Sequence, residues 1–314
     1  MHYPPPCNER PSSVIDVSVV IVTWNVADYL SRCIESVFSS NLIIDDTTTN
    51  KNILRTEIIV VDSCSTDHTL DMLSKYPQIK VIKQTENTGY TKSVNIGLAV
   101  TRGRYVLLLN PDTEVLPDTL QVLSSYLDNN PRIGIVGPQV LNSDRSIQDT
   151  RRRFPTIVVG FLVNGLSDLV WMKRYVPKDV LDYYYVKNER DDAVVDVEWL
   201  QGSFLLARRE VYEQIGGLDI RFWMYYDDTD WCRRAKESGW KIVYNGSTSI
   251  IHHQGKSSEQ VPQKRQFYYY RSKILYFQKH HGILISVLLF YWLSILHEAC
   301  QWWKQLTRYT RQSN

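Results

Sequence analysis

The stretch "VSVVIVTWN" (17–25) limits the possible folds more than any other part of the chain. It is a short, unbroken run rich in β-branched residues, without the apolar–polar alternation of a sheet that wets one face. Such a run predicts a strand buried on both sides. The next segment, "VADYLSRCIESVFSS", places Val26, Tyr29, Leu30, Cys33, Ile34, Val37 and Phe38 at helical spacing, so one stripe of a helix can cover that strand. The alternation then repeats. "EIIVVDSCSTD" (57–67) is a second buried strand, and "DHTLDMLSKY" a helix opened by Asp67 as N-cap. "IKVIKQ" (79–84) is a third strand, "TKSVNIGLAVTRG" (91–103) a helix closed by Gly103, and "YVLLLNPD" a fourth strand. "NLIIDDTTTNKN" (41–52) is a long polar-ended loop. Strands alternating with helices predict βαβ units, an α/β fold and a mostly parallel sheet.

In open α/β sheets, ligands bind beyond the carboxyl ends of the strands. Polar clusters sit at three such ends, Thr23–Asn25, Asp62–Asp67 and Asn110–Asp112. In "LLLNPDTEV" (107–115) an oily strand stops abruptly at an amide, a proline and a carboxylate. Mg²⁺ takes oxygen ligands from one or two carboxylates and from substrate phosphates. Asp112 can therefore hold an ion while Asn110 lends an amide contact. Taken alone, a solvated turn after Pro111 explains the tripeptide equally well.

The second half is less regular. "GIVGPQVLN" (134–142) and "VEWLQGSFLLARREVYEQIGGLD" (197–219) give further strands and a helix ending at Gly216–Gly217, while "RRRFPTIVVGFLVNGLSDLVWMKRY" between them has no legible pattern. In "FWMYYDDTDWCRRA" (222–235), Asp227, Asp228 and Asp230 crowd together behind Phe222, Trp223, Tyr225 and Tyr226. Clustered carboxylates among aromatics raise at least one pKa, which suits a general base. An acidic helix start accounts for one or two of them, Asp230 first. "IIHHQGKSS" (250–258) adds His252 and His253 as candidates for a metal shell or a phosphate contact.

At 314 residues the chain can bury a full core, and a net charge of +2 argues against nucleic acid as a partner. Five cysteines lie far apart with no CxxC pair, and "MHYPPPCNERPSS" lacks the apolar core of a secretion signal. Both features predict a reducing, cytoplasmic setting.

In unbroken order from about residue 15 to 282, these motifs, together with "ENTGYTKSVNIG", "RRRFPT" and "FYYYRSKILYFQKHHG", resemble the family 2 glycosyltransferases, and within them the rhamnosyltransferase-like branch. The resemblance implies a GT-A fold, with a nucleotide-sugar half over about 15–140 and an acceptor half over about 141–282. It implies that Thr23 and Asn25 line the nucleotide pocket. Asp62 would accept from a pyrimidine ring N–H with Asp67 as helper, and Asn87, Gly89 and Asn95 would pass the donor sugar and phosphates. "NPD" stands where the family has Asp-x-Asp, making Asp112 the ligand of Mg²⁺ or Mn²⁺, with His252 as a further candidate. "DDTD" stands where the family has Glu-Asp-x-Asp, making Asp228 the catalytic base of an inverting transfer. Trp199, Gln201, Gly202 and Asp227 would shape the acceptor side. The chain departs from the pattern at Ser63 (usually Asn), Asn110 (usually Asp) and Asp227 (usually Glu). The implied partners are a nucleoside-diphosphate sugar, with deoxythymidine-diphosphate rhamnose the donor favoured by the branch, and a glycan or lipid-linked acceptor.

Residues 1–14 read as a disordered lead and 283–314 as an apolar, basic C-terminal helix. "GILISVLLFYWLSIL" (282–296) is short of the roughly 20 residues a spanning helix needs. With Trp302, Trp303, Lys304, Arg308 and Arg311 beyond it, 283–311 suits docking on the inner face of a membrane, with packing on the domain or on a partner as the alternative. Two other functions remain open at this level. Nucleotidyl transfer would need a Gly-rich basic loop that "VTWNVADYL" lacks, and a glycan- or nucleotide-binding scaffold of the same fold would explain Asn110.

Overall fold

A computed structural model of the chain describes residues 15–40, 42–43, 54–163 and 176–312. The expected lead, most of the 41–52 loop and the end of the illegible 151–175 segment lie outside the described residues. The first half runs β1 (Val17–Thr23), α1 (Ala27–Phe38), β2 (Leu42–Ile43), β3 (Leu54–Asp62), α2 (Thr69–Leu73), β4 (Lys80–Lys83), α3 (Tyr90–Leu98), β5 (Tyr105–Leu109), β6 (Thr113–Val115), α4 (Thr119–Asn129) and β7 (Ile133–Leu141). The middle holds β8 (Arg151–Arg152), α5 (Ile157–Phe161), α6 (Lys178–Tyr184), β9 (Val194–Val197), β10 (Trp199–Leu200), β11 (Phe204–Arg208) and α7 (Arg209–Ile215). The chain ends with α8 (Asp227–Glu237), β12 (Lys241–His252), α9 (Pro262–His281) and α10 (Ile283–Gln312).

The main sheet has the order β2-β3-β1-β5-β11-β7-β12-β6, with β4 beside β3 and β9 beside β12. Its first half is parallel, as the alternating pattern requires, whereas β11, β9 and β6 pair antiparallel to their neighbours. Every residue of β1 is buried. Each of its aliphatic side chains contributes roughly 1.5–3 kcal/mol on leaving water. On one face α3 comes so close that a Cβ at Gly97 would lie 2.5 Å from Val20 Cγ1, which leaves room only for glycine.

Two expected helix signals change role. α3 stops at Leu98, and Gly103 lies four positions past its Ala99 cap. A Cβ at Gly103 would come 2.6 Å from the Ser18 backbone nitrogen, so close packing on β1 explains that glycine. α2 starts at Thr69, and Asp67 acts just before it by accepting from the Thr69 N–H at 3.0 Å.

Register places the site. Thr23 pairs with Asp62 across β1 and β3, and Ile21 with Leu109 across β1 and β5, so three polar strand tips emerge side by side. β11 runs back beside β5, and Asn110 N–H donates to Ser203 O at 3.0 Å, bringing Gln201 and Gly202 to the same level. The end of β12 pairs with β6, His252 opposite Thr113, which sets that imidazole next to Asp112.

Helix α9 is fastened over this edge. Tyr268 stacks on Trp223 at 5.1 Å, Ser272 Oγ donates to Met224 O at 2.7 Å, and Lys279 and His280 reach the fully buried Asp230 at 2.6 and 2.8 Å. Burial opposes the charge on Asp230, but the hydrogen bonds from His280 and Lys279, with Arg234 beside them, hold its carboxyl below the usual range. The third aspartate of "DDTD" is therefore a structural anchor. Among the described residues no helix is long and apolar enough to cross a membrane.

Candidate active site

The three strand tips border a cavity of about 520 Å³ whose wall includes Thr23, Trp24, Ser63, Asn87, Asn110, Asp112, Trp223 and His252. Asp62 is 1% exposed and is not itself part of that wall, where its neighbour Ser63 stands; one carboxylate oxygen accepts from Ser65 N–H at 3.2 Å while the other has no protein partner. The hydroxyl of Thr23 is likewise buried without a partner. An unmatched buried acceptor costs on the order of 1–3 kcal/mol, so these atoms suit a ligand that supplies donors. Asn87 caps the turn by accepting from Gly89 N–H at 3.0 Å. Gly89 has φ of +92° and faces Trp223, which a Cβ would approach to 2.7 Å.

Some expected donor contacts are placed elsewhere. Asn25, in left-handed backbone, uses its side-chain oxygen to accept from Thr66 N–H at 2.7 Å and does not line the cavity. Asp67 accepts from Thr69 and from Ala27 N–H, at 3.2 Å for the latter, which ties the starts of α1 and α2 together. Burial works against its charge, yet those bonds hold its carboxyl below the ordinary range. Asn95 spends both ends of its amide on the Leu218 backbone, each at 2.8 Å. All three brace the loops around the cavity, since a short amide or carboxylate at a turn satisfies nearby backbone before it can reach a ligand.

Asp112 and His252 are 5% and 4% exposed, and Asp112 Oδ1 lies 3.4 Å from His252 Nε2. Gln148 fixes the imidazole. Its amide nitrogen donates to His252 O at 2.7 Å, leaving Gln148 Oε1, 3.1 Å from His252 Nδ1, as the acceptor. The Nδ1 proton is thus assigned to Gln148, and Nε2, which makes no hydrogen bond within the chain, faces the Asp112 carboxylate. A positive charge between the two, either a proton on Nε2 or a metal ion, stabilises that juxtaposition. Burial opposes ionisation of Asp112, but His252 and the Lys256 N–H hold its carboxyl below the usual range. His253, by contrast, is spent on Glu114 at 2.8 Å and Ser143 at 2.7 Å. Among the described residues no group of three or more His, Cys, Asp or Glu gathers to hold an ion. The Asp112–His252 pair fits a divalent cation that takes its remaining ligands from phosphate oxygens and water.

A second cavity, of about 450 Å³, contains Asp228 along with Arg152, Tyr184, Trp199, Tyr226, Tyr269 and Tyr270. It shares Gln201, Tyr225 and Arg265 with the first. Tyr225 and Tyr226 both have positive φ, 67° and 59°. This uncommon backbone for bulky residues turns the chain so that Asp227 and Asp228 begin α8 at the cavity edge. Asp227 is buried, lines neither cavity, and has its carboxyl pushed well up by burial and by the neighbouring Asp228. Asp228 is half-buried and accepts from Gly202 N–H at 2.8 Å and Thr229 N–H at 2.7 Å. Burial pushes its carboxyl up, moderated by those N–H groups and by the Arg152 guanidinium. It is the one carboxylate of the trio open to a substrate. Trp199 holds its indole N–H on Arg153 O at 2.8 Å and offers its ring to Arg152 at 4.9 Å. Arg152, Tyr184, Arg265, Tyr269 and Tyr270 were not expected from the sequence; the "RRRF" run holds Arg152 and the "YYYR" run Tyr269 and Tyr270, whereas Tyr184 and Arg265 lie in neither.

Comparison with known proteins identifies the family and the fold. The family model described as glycosyl transferase family 2 matches residues 18–232. An N-acetylglucosaminyl-diphospho-decaprenol L-rhamnosyltransferase of Mycobacterium tuberculosis is 26% identical over 84% of this chain and 84% of its own. The dTDP-rhamnosyl transferase RfbF of Shigella flexneri is 23% identical over 76% of this chain and 77% of its own. A mannosyltransferase from Pyrobaculum calidifontis, solved with GDP-Man and Mn²⁺, is similar in fold, with a TM-score of 0.57 at 16% identity over 94% of this chain and 77% of that one. The paired cavities lie on a GT-A fold, and the chain belongs to glycosyl transferase family 2 as a nucleotide-sugar-dependent glycosyltransferase.

Proposed function

We propose that the chain transfers a deoxyhexose, rhamnose, from its deoxythymidine diphosphate to a hydroxyl of a sugar carried on a lipid diphosphate, with inversion at the anomeric carbon. The carrying observation is the shared wall. Asp228 opens into one cavity, Asp112 and His252 into the next, and Gln201, Tyr225 and Arg265 belong to both. The donor and acceptor classes follow the printed activities of the two rhamnosyltransferase relatives.

The residues divide the reaction as follows. Thr23 and the free oxygen of Asp62 meet the donors of the base. Asp228 takes the proton of the acceptor hydroxyl as its oxygen forms the new bond to the anomeric carbon. The bond from that carbon to the phosphate oxygen breaks on the opposite face, and its electron pair leaves with the nucleoside diphosphate. Asp112 and His252 would hold a divalent cation, which as a Lewis acid supplies stabilisation of the diphosphate charge. Trp199 and the tyrosines give the apolar faces on which sugar rings rest.

The tail supports a lipid-borne acceptor. Leu284, Leu288, Tyr291 and Ile295 form one exposed stripe along α10, between 50% and 69% exposed, while Leu289 and Leu296 on the other side are buried. The sequence continues into Trp302, Trp303, Lys304, Arg308 and Arg311. Such a helix lies in a membrane interface.

The test combines purified chain, a panel of pyrimidine-diphosphate sugars, a lipid-diphosphate N-acetylglucosamine acceptor, and Mn²⁺, Mg²⁺ or chelator. Transfer from dTDP-rhamnose that requires the metal supports the proposal. Nucleotide binding without turnover of any donor would instead favour a binding scaffold of the same fold.

A further inference from the structure

The departing nucleoside diphosphate carries one more negative charge than the diphosphate it came from, so the site must offer positive charge that grows in value as the bond breaks. The Asp112–His252 pair can hold one cation, but Asp112 cancels part of its charge. Two further cations face the donor cavity from the first turns of α9, Lys264 and Arg265. Among the described residues, neither side chain has a hydrogen bond or an ion pair. Their neighbours differ. Lys256 is paired with Glu259 at 3.3 Å, Lys279 with Asp219 at 2.9 Å, and Arg234 with Asp230 at 2.9 Å.

The acids that could claim Arg265 are already engaged. Asp112 is occupied by His252 and the Lys256 N–H, at 3.4 and 3.2 Å, and Asp228 by Gly202 and Thr229. Arg265 also lines both cavities, so it stands where the nucleotide side meets the acceptor side. The bond between sugar and phosphate must lie at that junction. α9 is held there by the Trp223–Tyr268 stack and the Ser272–Met224 hydrogen bond, which fix the first turns of the helix against the cavity.

We propose that Arg265 is a catalytic residue that binds the oxygens of the departing phosphate, and that Lys264 holds the same diphosphate without distinguishing ground from transition state. The planar guanidinium can grip two phosphate oxygens as charge develops on them, whereas the lysine ammonium acts as a point charge. The proposal rests on the transferase reading above and adds the groups that stabilise its leaving group.

The test uses the full chain with Arg265→Ala, Arg265→Lys and Lys264→Ala. Arg265→Ala lowers kcat by about 10²–10³-fold, the scale for loss of one charge-stabilising donor, while donor KM changes less. Added guanidinium recovers part of that loss, and the melting temperature stays at the wild-type value. Lys264→Ala raises donor KM with kcat near wild type. By calorimetry, the preference for dTDP over dTMP shrinks about tenfold in each alanine variant, as expected for loss of one hydrogen bond to a charged group. An unchanged kcat in Arg265→Ala overturns the proposal. So does a loss that guanidinium does not rescue and that leaves the dTDP preference intact, or a rise confined to acceptor KM, which would assign Arg265 to the acceptor's phosphate. Should the wild type turn over none of the donors, the transferase reading fails alone, and the dTDP–dTMP comparison still decides whether these cations hold a diphosphate.

Discussion

Two aspartate-containing pairs, Asp112–His252 and Asp227–Asp228, stand at the two cavities, and their surroundings drive them in opposite directions. Asp112 is as deeply buried as Asp227, yet a backbone N–H and the His252 ring keep it ionised. Asp227 has an aspartate as its neighbour, and that like charge adds to burial to keep a proton on the pair. Asp228 lies between these extremes, raised by burial and eased by Gly202, Thr229 and Arg152. On the function proposed above, one pair attracts a cation and the other accepts a proton. Equal burial gives different chemistry because the nearest charge, not burial alone, decides which form of a carboxyl is cheaper.

The sharpest way to break that comparison is Asp228→Asn. Turnover should fall by about two to four orders of magnitude, the range for loss of a general base, while dTDP affinity by calorimetry stays near wild type. Loss of nucleotide binding in this variant would mean that the two cavities do not divide the work as described.

Asp112→Asn and Gln148→Leu probe the other pair. The first removes the charge, and the second frees the His252 tautomer that Gln148 sets at 3.1 Å. Loss of such an orienting contact should weaken metal activation about 10–100-fold, read as the Mn²⁺ concentration for half-maximal rate. Equal activation curves for Gln148→Leu and wild type would remove the imidazole from the cation site.

The pH profile sharpens the contrast. Asp228 must be ionised to take a proton, and its raised pKa places the acid limb of kcat above the range of an ordinary carboxylate. Arg152→Met removes a cation that favours the ionised form, so the limb should move to higher pH and the rate loss should be largest in mild acid. A limb that moves the other way would mean that another group controls it.

The smallest expected effect is on stability. A carboxyl whose pKa is raised in the folded chain contributes stability below its unfolded pKa and loses it as pH rises through the folded value. Asp227 is such a group. Asp227→Asn should therefore melt a few degrees above wild type near neutral pH, with the gap closing in acid as both forms become neutral. A gap that persists unchanged in acid would point to packing and not to charge.

The two halves of the site also differ in how far they can be read from the chain. Donor-side residues Thr23, Asp62 and Asn110 were visible as polar ends of oily runs, because a doubly buried strand must shed its polar groups at its tips. Asp112 stood out as a carboxylate at a strand tip and Asp228 within an acidic cluster, and the family resemblance singled out the role of each. Asn25 and Asp67 carried the same sequence signal, and Asn95 the resemblance alone, but all three serve the loops, and local hydrogen-bond competition of that kind leaves no trace in spacing. The acceptor cavity draws Arg152, Trp199, Asp228 and Tyr269 from β8, β10, α8 and α9, elements so far apart in sequence that no periodicity links them.

The sequence by itself determined the parallel nucleotide half, since each buried run and each helical stripe is a local pattern that only one kind of element can satisfy. It also determined that acids cluster at the start of α8. Only the tertiary structure decided which acid does what. Asp230 is locked by Lys279 and His280, Asp227 is shut in, and Asp228 alone is open. The reason is that a carboxyl's role depends on the charges and N–H groups within a few ångströms, and those arrive through β-pairing and helix packing across more than a hundred residues.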